Sequence, residues 1–437
     1  MYGESKGLRI GMLVVLAACA LAVPSAASAT TTLWVSENVP SAPFNSCEHP
    51  GYDHIQEALG GPGTAIHVCA GTYPEQLTIE RAIAITGYGG ATLKLPAVTQ
   101  TSASPCDVVS EEASKLPDQD AISICGIHKV SITGLQINAV WPGEPVGNSV
   151  SCAYNLNGIL VAGGANLELD NSTVVGARPH LINGCQYGVG VQIGMSYTPT
   201  LGVGVAELSG DTIDGYDKNG ITVEGGESHA TIAKTTVTGD GPLEATGQNG
   251  IGVQLGAKAT ITGSTISRNE CENATCGEDA LTDYQADGVY FYEAGTGSSL
   301  LKSRVFENDL GAEAYDSTVA DPSISHDRFE NNRWESVQIS QGSATIDKDV
   351  MHGGAVGIQL LQYAGQAYGP TGTATHDTIE SMSSWAVLGR SDKSSEDKPG
   401  ELTITKSKIS GNPGPRPLES VESENPTRLK IYAEKDH

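Results

Sequence analysis

Basic residues are scarce in this sequence. Its 437 residues include 25 Lys and Arg against 51 Asp and Glu, so the formal net charge is -26. Proteins that bind nucleic acids neutralise phosphates with Lys and Arg, and this composition therefore argues against a nucleic-acid partner. The same net charge would repel a polyuronate, so we expect a polysaccharide partner to be neutral.

Aromatic residues are also scarce, at 5% of the sequence, whereas glycine occurs 53 times. The hydrophobic share of 39% is nevertheless sufficient for a buried core, which argues against disorder over most of the chain. A chain of this length often folds as about two or three domains, but a single repeated architecture can also contain it.

Long apolar runs are confined to the amino-terminal end of the sequence. Two basic residues precede an apolar run over residues 10–23, and Ala27-Ser28-Ala29 supplies the small residues that signal peptidase requires. We therefore predict that residues 1–29 are a signal peptide and that the mature protein is secreted, and we expect a monomer. A lipobox-like sequence ending at Cys19 is the alternative, which would leave a lipid-anchored chain. No later segment approaches the roughly 20 apolar residues needed to span a membrane.

The sequence contains 9 cysteines but no CxxC pair, which disfavours a zinc site. Without Cys19 an even number remains, as is typical of disulfide-bonded secreted proteins. We predict that neighbours along the chain are paired: Cys47 with Cys69, Cys106 with Cys125, Cys152 with Cys185, and Cys271 with Cys276.

A repeated pattern accounts for many of the glycines. A polar residue, a glycine and alternating aliphatic residues recur in NGILV (157–161), YGVGV (187–191), NGITV (219–223), NGIGV (249–253) and DGVYF (287–291). Each is typical of a short strand with alternate side chains directed inward. A second strand follows each of them, and its last apolar residue serves as an anchor. Val237 to Ile266 is a step of 29 residues, and Phe306 to Phe329 is a step of 23.

Short strands with a period in the twenties and no amphipathic helix favour a solenoid of stacked β-coils. Successive coils of such a solenoid lie about 4.8 Å apart, and each strand pairs in parallel with its copy in the next coil. A β-propeller repeat is longer, and a sandwich would not keep one register over most of the chain.

The segment from residue 54 to residue 93 contains HIQEALGG, then GTY at 71–73, and a strand that ends in GYG at 87–89. In these features it resembles secreted right-handed parallel β-helix proteins of the pectin-lyase-like group. The resemblance implies an all-β fold, a single-stranded right-handed parallel β-helix with an N-terminal cap. We expect a cap region with a short helix over 30–62, the β-helix over 63–411, and a flexible tail or partial cap over 412–437.

The catalytic motifs of the enzymes in this group do not transfer. Of the methylesterase motifs QDTL, DFIFG and LGRPW, only Leu388-Gly389-Arg390 matches a part. The polygalacturonase motifs NTD, DD and GHG, the pectate lyase segments and the DPHE of alginate epimerases are absent from the sequence. The fold itself hosts lyases, hydrolases, esterases, epimerases and proteins without catalytic activity, so it does not decide the chemistry.

Outward positions of the glycine-containing strands carry tyrosines beside amides and carboxylates. These candidate substrate-binding residues are Tyr290, Tyr292, Glu313, Tyr315, Gln338 and Gln359. Aromatic rings cover the apolar faces of sugars, and amides and carboxylates accept or donate hydrogen bonds to their hydroxyls. The alternative is that tyrosine and glutamine occupy these positions because they suit β-strands.

Carboxylates near these positions are candidates for catalysis, namely Asp287, Glu313 and Asp316. Glycoside hydrolysis uses two carboxyl groups about 5 to 9.5 Å apart, which residues one or two coils apart can satisfy. A lyase would instead need a basic residue, and we expect Lys302 and Arg304 to lie on another face. Any enzymatic activity would therefore be that of a polysaccharide lyase or a glycoside hydrolase with an atypical site.

Three aspartates occupy equivalent positions in successive coils: Asp327, Asp349 and Asp377. Stacked carboxylates repel one another unless a cation or a proton intervenes, so calcium is the cofactor that this pattern suggests. The alternative, which we favour, is a polar ladder in a turn, where Asp side chains accept hydrogen bonds from the backbone.

The sequence thus predicts a secreted β-helix protein that binds carbohydrate on an exposed strand face. A polysaccharide lyase or glycoside hydrolase is one alternative function. A structural or adhesive solenoid, in which the tyrosines have no ligand, is the other.

Overall fold

The computed structural model describes residues 31–96, 106, 118–141, 155–182, 184–196, 202–278, 281, 283–315, 321–363, 369–391, 400–412, 421–423 and 429–433. Four positions with sequence-based predictions lie outside these residues: the predicted signal peptide (1–29), Cys19 within it, Cys152 and Asp316. The described chain consists of three parallel β-sheets and the short helix Ile55–Leu59.

The three sheets contain 14, 12 and 12 strands among the described residues. Sheet A consists of Thr32–Val35, Ala65–Val68, Ile83–Gly87, Lys129–Thr133, Ala165–Asp170, Gly204–Ser209, His229–Ala233, Lys258–Thr262, Ser299–Leu301, Ser323–Ser325, Ser343–Asp347, Thr371–Thr375, Gly400–Thr405 and Leu429–Ala433. Sheet B consists of Thr72–Pro74, Thr92–Lys94, Gln136–Trp141, Thr173–Pro179, Thr212–Asp214, Thr236–Thr238, Thr265–Ser267, Arg304–Phe306, Arg328–Glu330, Val350–His352, Thr378–Glu380 and Lys408–Ser410. Sheet C consists of Leu77–Ile79, Asp118–Cys125, Asn155–Ala162, Val189–Ile193, Asn219–Glu224, Asn249–Gln254, Asp287–Tyr292, Leu310–Tyr315, Glu335–Ser340, Val356–Gln362, Trp385–Ser391 and Val421–Ser423.

Each coil of the chain adds one strand to sheet C, then one to sheet A, then one to sheet B. Every strand pairs in parallel with the equivalent strand of the neighbouring coil, for example Asn219–Glu224 with Asn249–Gln254. This arrangement is a right-handed parallel β-helix, and it confirms the predicted fold class. Thr32–Val35 and Leu429–Ala433 extend sheet A at its two ends, beyond the range 63–411 expected for the β-helix.

The interior of the β-helix is a single apolar core that runs through all the coils. Within this core, Ile221 is the register partner of Ile251, and Ile251 is the register partner of Val289, so the three side chains form one column of sheet C. The residue before each of them is a glycine, because the backbone of the next coil packs too closely there for a side chain. A Cβ atom on Gly250 would clash with the carbonyl oxygen of Gly288 in the next coil. The polar-glycine-aliphatic pattern therefore marks where each coil bends into sheet C.

Two register assignments from the sequence are wrong. The strand expected at 187–191 is Val189–Ile193, in which Val189 rather than Tyr187 is opposite Asn219. This segment contains two overlapping X-Gly-Val patterns, so periodicity alone did not select between them. The residue aligned with Phe329 is Val305 and not Phe306, because Val305 points into the core. Phe306 instead lies under the Arg304 guanidinium, 4.0 Å from ring centroid to Cζ.

Three of the predicted disulfides are present: Cys47–Cys69, Cys106–Cys125 and Cys271–Cys276. Cys185 is also disulfide-bonded. Disulfides of this number are typical of proteins that fold in an oxidising compartment outside the cytosol. Among the described residues, no helix is both long and apolar enough to cross a membrane.

Candidate functional site

The candidate substrate-binding residues lie together on the outward face of sheet C. Tyr290, Glu313, Gln338 and Gln359 are register partners on four successive strands. Tyr292 and Tyr315 form the adjacent column on the first two of these strands. We call this surface, with all six residues, the tyrosine strip. The strand periodicity therefore predicted correctly which residues share this face.

Aromatic contacts continue along the strip. The ring centroids of Tyr292 and Tyr315 are 5.4 Å apart, and those of Tyr315 and Tyr363 are 6.3 Å apart. Tyr363 was not among the candidates from the sequence. It follows Leu361 by two residues and so continues the outward alternation of that strand, a signal that would have identified it. We call Tyr292, Tyr315 and Tyr363 together the aromatic wall.

A chain of hydrogen bonds links the polar members of the strip. Gln359 Nε2 donates to Gln338 Oε1 at 2.7 Å, and Gln338 Nε2 donates to Glu313 Oε1 at 2.9 Å. Tyr290 donates its hydroxyl hydrogen to Gln254 Oε1 at 2.9 Å. These contacts fix the amide orientations and the position of the Glu313 carboxyl group.

Part of the strip is less accessible than an outward position implies. Gln338 and Gln359 are 3% and 0% exposed, whereas Tyr290, Tyr292, Glu313 and Tyr315 are only partly buried. The segment before residue 287 lies over this end of the sheet, since Gln285 Nε2 donates to Glu335 Oε2 at 3.0 Å. Sequence periodicity identifies the face of a strand but not the chain that packs on it. The accessible part of the strip is therefore its tyrosine end.

Three carboxyl groups meet beside the strip, on three successive strands of sheet C. Asp287 and Glu335 occupy one column, with Leu310 between them, and Glu313 lies in the next column on the middle strand. Successive coils are about 4.8 Å apart, so the three residues fall within roughly 10 Å along the stack. We call Asp287, Glu313 and Glu335 the carboxyl cluster.

The environment raises the pKa of every member of the carboxyl cluster. Burial is the main cause for Asp287, and the neighbouring Glu313, Asp309 and Glu335 raise its pKa further, against the opposing effect of Lys218. Burial also raises the pKa of Glu313, and hydrogen bonds from Gln338 and Ser340 oppose this shift.

Glu335 is fully buried, and burial raises the pKa of its carboxyl group well above the usual range. The hydrogen bond from Gln285 and the positive charge of Arg390 oppose this shift. Carboxyl groups with raised pKa values can retain a proton near neutral pH, as a general acid must.

Two basic residues lie near the carboxyl cluster. Burial lowers the pKa of the Lys218 ammonium group, while Asp287 and Asp217 oppose that shift. Lys218 Nζ donates to the Gly247 carbonyl at 2.6 Å. Arg390 is the register partner of Leu361 in the column of Tyr292 and Tyr315. Sequence analysis did not place either residue at the strip, whereas Arg304 lies in sheet B, as expected.

The aspartates proposed for a metal, Asp327, Asp349 and Asp377, form a ladder in the turn between sheets A and B. Asp327 Oδ1 accepts from the Ser303 amide at 2.6 Å and Oδ2 from the Ser325 amide at 2.9 Å. Asp349 accepts from the Asp327 amide at 2.6 Å, and Asp377 accepts from the Asp349 amide at 2.8 Å. We call these three residues the aspartate ladder, and its contacts are those of the polar ladder that we favoured from the sequence.

Metal coordination finds little support in the part of the chain that the structure describes. Within it, no group of three or more His, Cys, Asp or Glu residues is arranged to hold a metal ion. Each ladder aspartate is at least 99% buried and faces backbone amides. The three ladder aspartates therefore do not form a calcium-coordinating group in the described residues.

Comparisons with known proteins agree with this fold. A family model described as the right handed beta helix region matches residues 200–369. No curated protein sequence is significantly similar to the chain. The structure of a mutant of the periplasmic alginate epimerase AlgG is similar, with a TM-score of 0.50 and 11% identity, over 83% of this chain and 77% of the epimerase.

The catalytic domain of Agl-KA is also similar, with a TM-score of 0.51 and 13% identity. That alignment covers 85% of this chain and 62% of the Agl-KA chain, so this protein spans less than two thirds of it. Identities this low establish a shared fold and not a shared activity. The chain folds as a right-handed parallel β-helix.

Proposed function

We propose that the protein binds a polysaccharide along the tyrosine strip. The observation that carries this proposal is the aromatic wall, whose three rings line the accessible end of the strip beside Glu313 and Tyr290. Tyrosine rings pack against the apolar faces of sugar rings, and the adjacent carboxyl and hydroxyl groups can bind sugar hydroxyls. The similar solved structures include an alginate epimerase, which also acts on a polysaccharide.

Calorimetric titration against a panel of neutral and acidic polysaccharides tests this proposal. Tyr315→Ala removes the central ring of the wall, and we expect it to weaken glycan affinity by about tenfold or more. Tyr88→Ala is the matched control, because Tyr88 is 43% exposed and lies beside sheet A rather than sheet C. Equal affinities for both variants would show that the strip is not the binding site, and no binding of any glycan would leave a structural or adhesive solenoid as the better account.

Glycan cleavage is a second candidate function of the same surface. It is favoured by the carboxyl cluster, in which burial and then the charge of Glu313 raise the pKa of Asp287. Paired carboxyl groups, one protonated and one ionised, perform acid and nucleophile or base roles in glycoside hydrolysis. Asp287→Asn and Glu313→Gln should then each abolish the release of new reducing ends.

An elimination reaction would give a different product. A lyase produces unsaturated sugars that absorb in the ultraviolet, and it would need a base such as Lys218 or Tyr290 beside the substrate. Burial lowers the pKa of Lys218 and raises that of Tyr290. Reducing ends without ultraviolet absorbance would identify hydrolysis, and absorbance would identify elimination.

We also propose that the chain is exported and monomeric. The three described disulfides support folding outside the cytosol, and the segment 1–29 supplies the predicted signal peptide. Mass spectrometry of the exported protein tests this directly. A mature chain that begins at Thr30 supports simple secretion, whereas a lipid on Cys19 supports membrane anchoring. Gel filtration with light scattering determines the oligomeric state.

A further inference from the structure

The carboxyl cluster has three acidic groups but two basic neighbours, Lys218 beside Asp287 and Arg390 beside Glu335. The charge of Lys218 opposes the raised pKa of Asp287, and the same ammonium group also donates to the Gly247 carbonyl at 2.6 Å. Glu335 faces Arg390, whose Nη1 donates to the Glu278 carbonyl at 3.5 Å. Among the described residues, Glu313 accepts a hydrogen bond from the neutral side chain of Gln338 at 2.9 Å. An acidic group without a basic neighbour favours a cation that can reach it.

One buried acceptor of the cluster is also unsatisfied. Glu335 is 0% exposed, and none of the described residues donates a hydrogen bond to its Oε1 atom. It lies on the outward side of sheet C in the same column as Asp287, and it contributes to the raised pKa of Asp287. Buried carboxylate oxygens without donors are rare because each loses its hydration. A bound donor at the cluster would relieve this loss.

The aromatic wall stands beside the same carboxyl groups. Glu313 and Tyr315 lie two residues apart on the outward face of the same strand. Burial and then the charge of Glu313 raise the pKa of Tyr363, the third ring of the wall. The ring centroids of Tyr363 and Tyr315 are 6.3 Å apart, so the wall extends from the neighbour of Glu313 to the strand of Gln359. The charge of Glu313 also raises the pKa of Asp287, after burial. Cations bind favourably over the faces of aromatic rings, and they do so most strongly where water is excluded.

A metal ion fits these residues less well than an ammonium group. Calcium takes about six to eight oxygen ligands. Among the described residues, no group of three or more His, Cys, Asp or Glu side chains is arranged to hold a metal ion. An ammonium group needs only a few acceptors, and it can use aromatic faces for the rest of its surroundings. Carboxyl oxygens next to tyrosine rings match that requirement.

We propose that the glycan bound at the tyrosine strip is an amino sugar with free ammonium groups, one of which binds beside Glu313 and Asp287 against the aromatic wall. This inference rests on the proposed glycan-binding function and names its ligand class. It also replaces the expectation of a neutral polysaccharide. A chain with a net charge of -26 attracts a cationic polymer as readily as it repels a polyuronate.

Matched ligands test the proposal directly. Oligomers of glucosamine and the same oligomers after N-acetylation differ in charge while their sugar backbone is unchanged. We expect the glucosamine form to bind at least about tenfold more tightly in calorimetric titrations. This preference should decrease as salt is added, because screening weakens the attraction between the ammonium and carboxylate groups.

Variants locate the effect at the cluster. Glu313→Gln and Asp287→Asn keep the side-chain shapes and should each reduce the preference for the glucosamine form by about tenfold. Glu401→Gln is the matched control, because Glu401 is an exposed acid on sheet A. Thermal unfolding of each variant shows whether it is folded before its affinity is interpreted.

The outcomes separate the two proposals. Equal or tighter binding of the N-acetylated form would overturn the amino-sugar inference and leave glycan binding in place. Equally tight binding of a lysine oligomer would also overturn it, because the site would then recognise cations without the sugar. Failure of every glycan in the panel to bind would overturn the proposed function and the inference together.

Discussion

Two sets of carboxyl groups, one wholly buried and one mostly half-buried, occupy different faces of the same β-helix. The aspartate ladder, Asp327, Asp349 and Asp377, lies in the turn between sheets A and B. The carboxyl cluster, Asp287, Glu313 and Glu335, lies on the outward face of sheet C. Burial is the largest cause of a raised pKa in both sets. Burial and a raised pKa therefore do not distinguish a structural carboxyl group from a functional one.

Hydrogen-bond donors make the distinction. Each carboxyl group of the ladder accepts from a backbone amide of its own or a neighbouring coil, so the fold itself supplies the donor. The carboxyl groups of the cluster have no backbone donor among the described residues and depend on Gln285 and Gln338. Donors from the backbone indicate a role in folding. Asp349 Oδ2 in the ladder also lacks a donor among the described residues, so the backbone amides, and not a missing donor alone, set the ladder apart from the cluster.

The largest expected effect is the loss of stability when a residue of the aspartate ladder is replaced. Asp327→Ala leaves the amides of Ser303 and Ser325 buried without an acceptor. Each such loss costs about 1 to 3 kcal/mol, so we expect the free energy of unfolding to fall by roughly 2 to 5 kcal/mol. Denaturant unfolding followed by circular dichroism measures this change. Asp327→Asn keeps one acceptor oxygen and should lose markedly less stability.

A loss in Asp327→Ala no larger than that of Glu401→Ala, an exposed acid on sheet A, would contradict the structural role of the ladder. Glycan affinity provides the second comparison. Because the ladder lies in the turn between sheets A and B, a folded Asp327→Asn protein should bind glycan as the wild type does.

The next effect is on the pH dependence of stability. Burial and then the charge of Asp327 raise the pKa of Asp349 to about 9, and burial raises that of Asp327 to about 7. In the unfolded chain both groups titrate near pH 3.9, roughly the value of a free aspartate. The folded state therefore retains more protons between these values, so the free energy of unfolding should fall as pH rises from about 4 towards 9.

Asp349→Asn removes one of these titrating groups. The fall in unfolding free energy with pH should become shallower by up to about 1.4 kcal/mol per pH unit. Denaturant midpoints across this pH range measure the slopes of the wild type and the variant. Asp349 is also near Asp327, Asp377 and Asp347, so the remaining slope reports on those groups. Parallel slopes for the two proteins would show that Asp349 does not hold a proton in the folded state.

The smallest expected effect is a gain in stability when a residue of the carboxyl cluster is replaced. Glu313→Gln removes a buried carboxyl group that repels Asp287. Residues that form a ligand site often lower the stability of the folded protein. We therefore expect the free energy of unfolding of this variant to exceed that of the wild type by about 0.5 to 2 kcal/mol. A loss of stability comparable to that of Asp327→Ala would mean that the cluster, like the ladder, supports the fold.

The fold and the shared faces could be predicted from the sequence because both follow from short-range periodicity. The X-Gly-aliphatic pattern located the strands of sheet C, and alternation placed Tyr290 and Glu313 on one face. Neighbouring cysteines gave the three described pairs. These features depend on residues a few positions apart or on copies in the next coil.

The remaining features of the site depend on contacts that periodicity does not encode. Lys218 reaches Asp287 from a turn two coils away, and Gln285 reaches Glu335 across 50 residues of chain. Gln338 and Gln359 are likewise buried although strand alternation places them on the outward face. The distinction between ladder and cluster depends on backbone amides, which every residue except proline carries, so the sequence cannot show which amide a carboxyl group meets.

One titration tests the distinction most directly. Wild type, Asp349→Asn and Glu313→Gln are each titrated with the glucosamine oligomer under identical conditions. Both substitutions replace a buried carboxyl group by an amide of the same shape, one in the ladder and one in the cluster. We predict that Glu313→Gln weakens affinity by at least about tenfold and that Asp349→Asn leaves it within about twofold of wild type. Equal affinities for the two variants would contradict the assignment of the cluster to ligand binding and the ladder to folding.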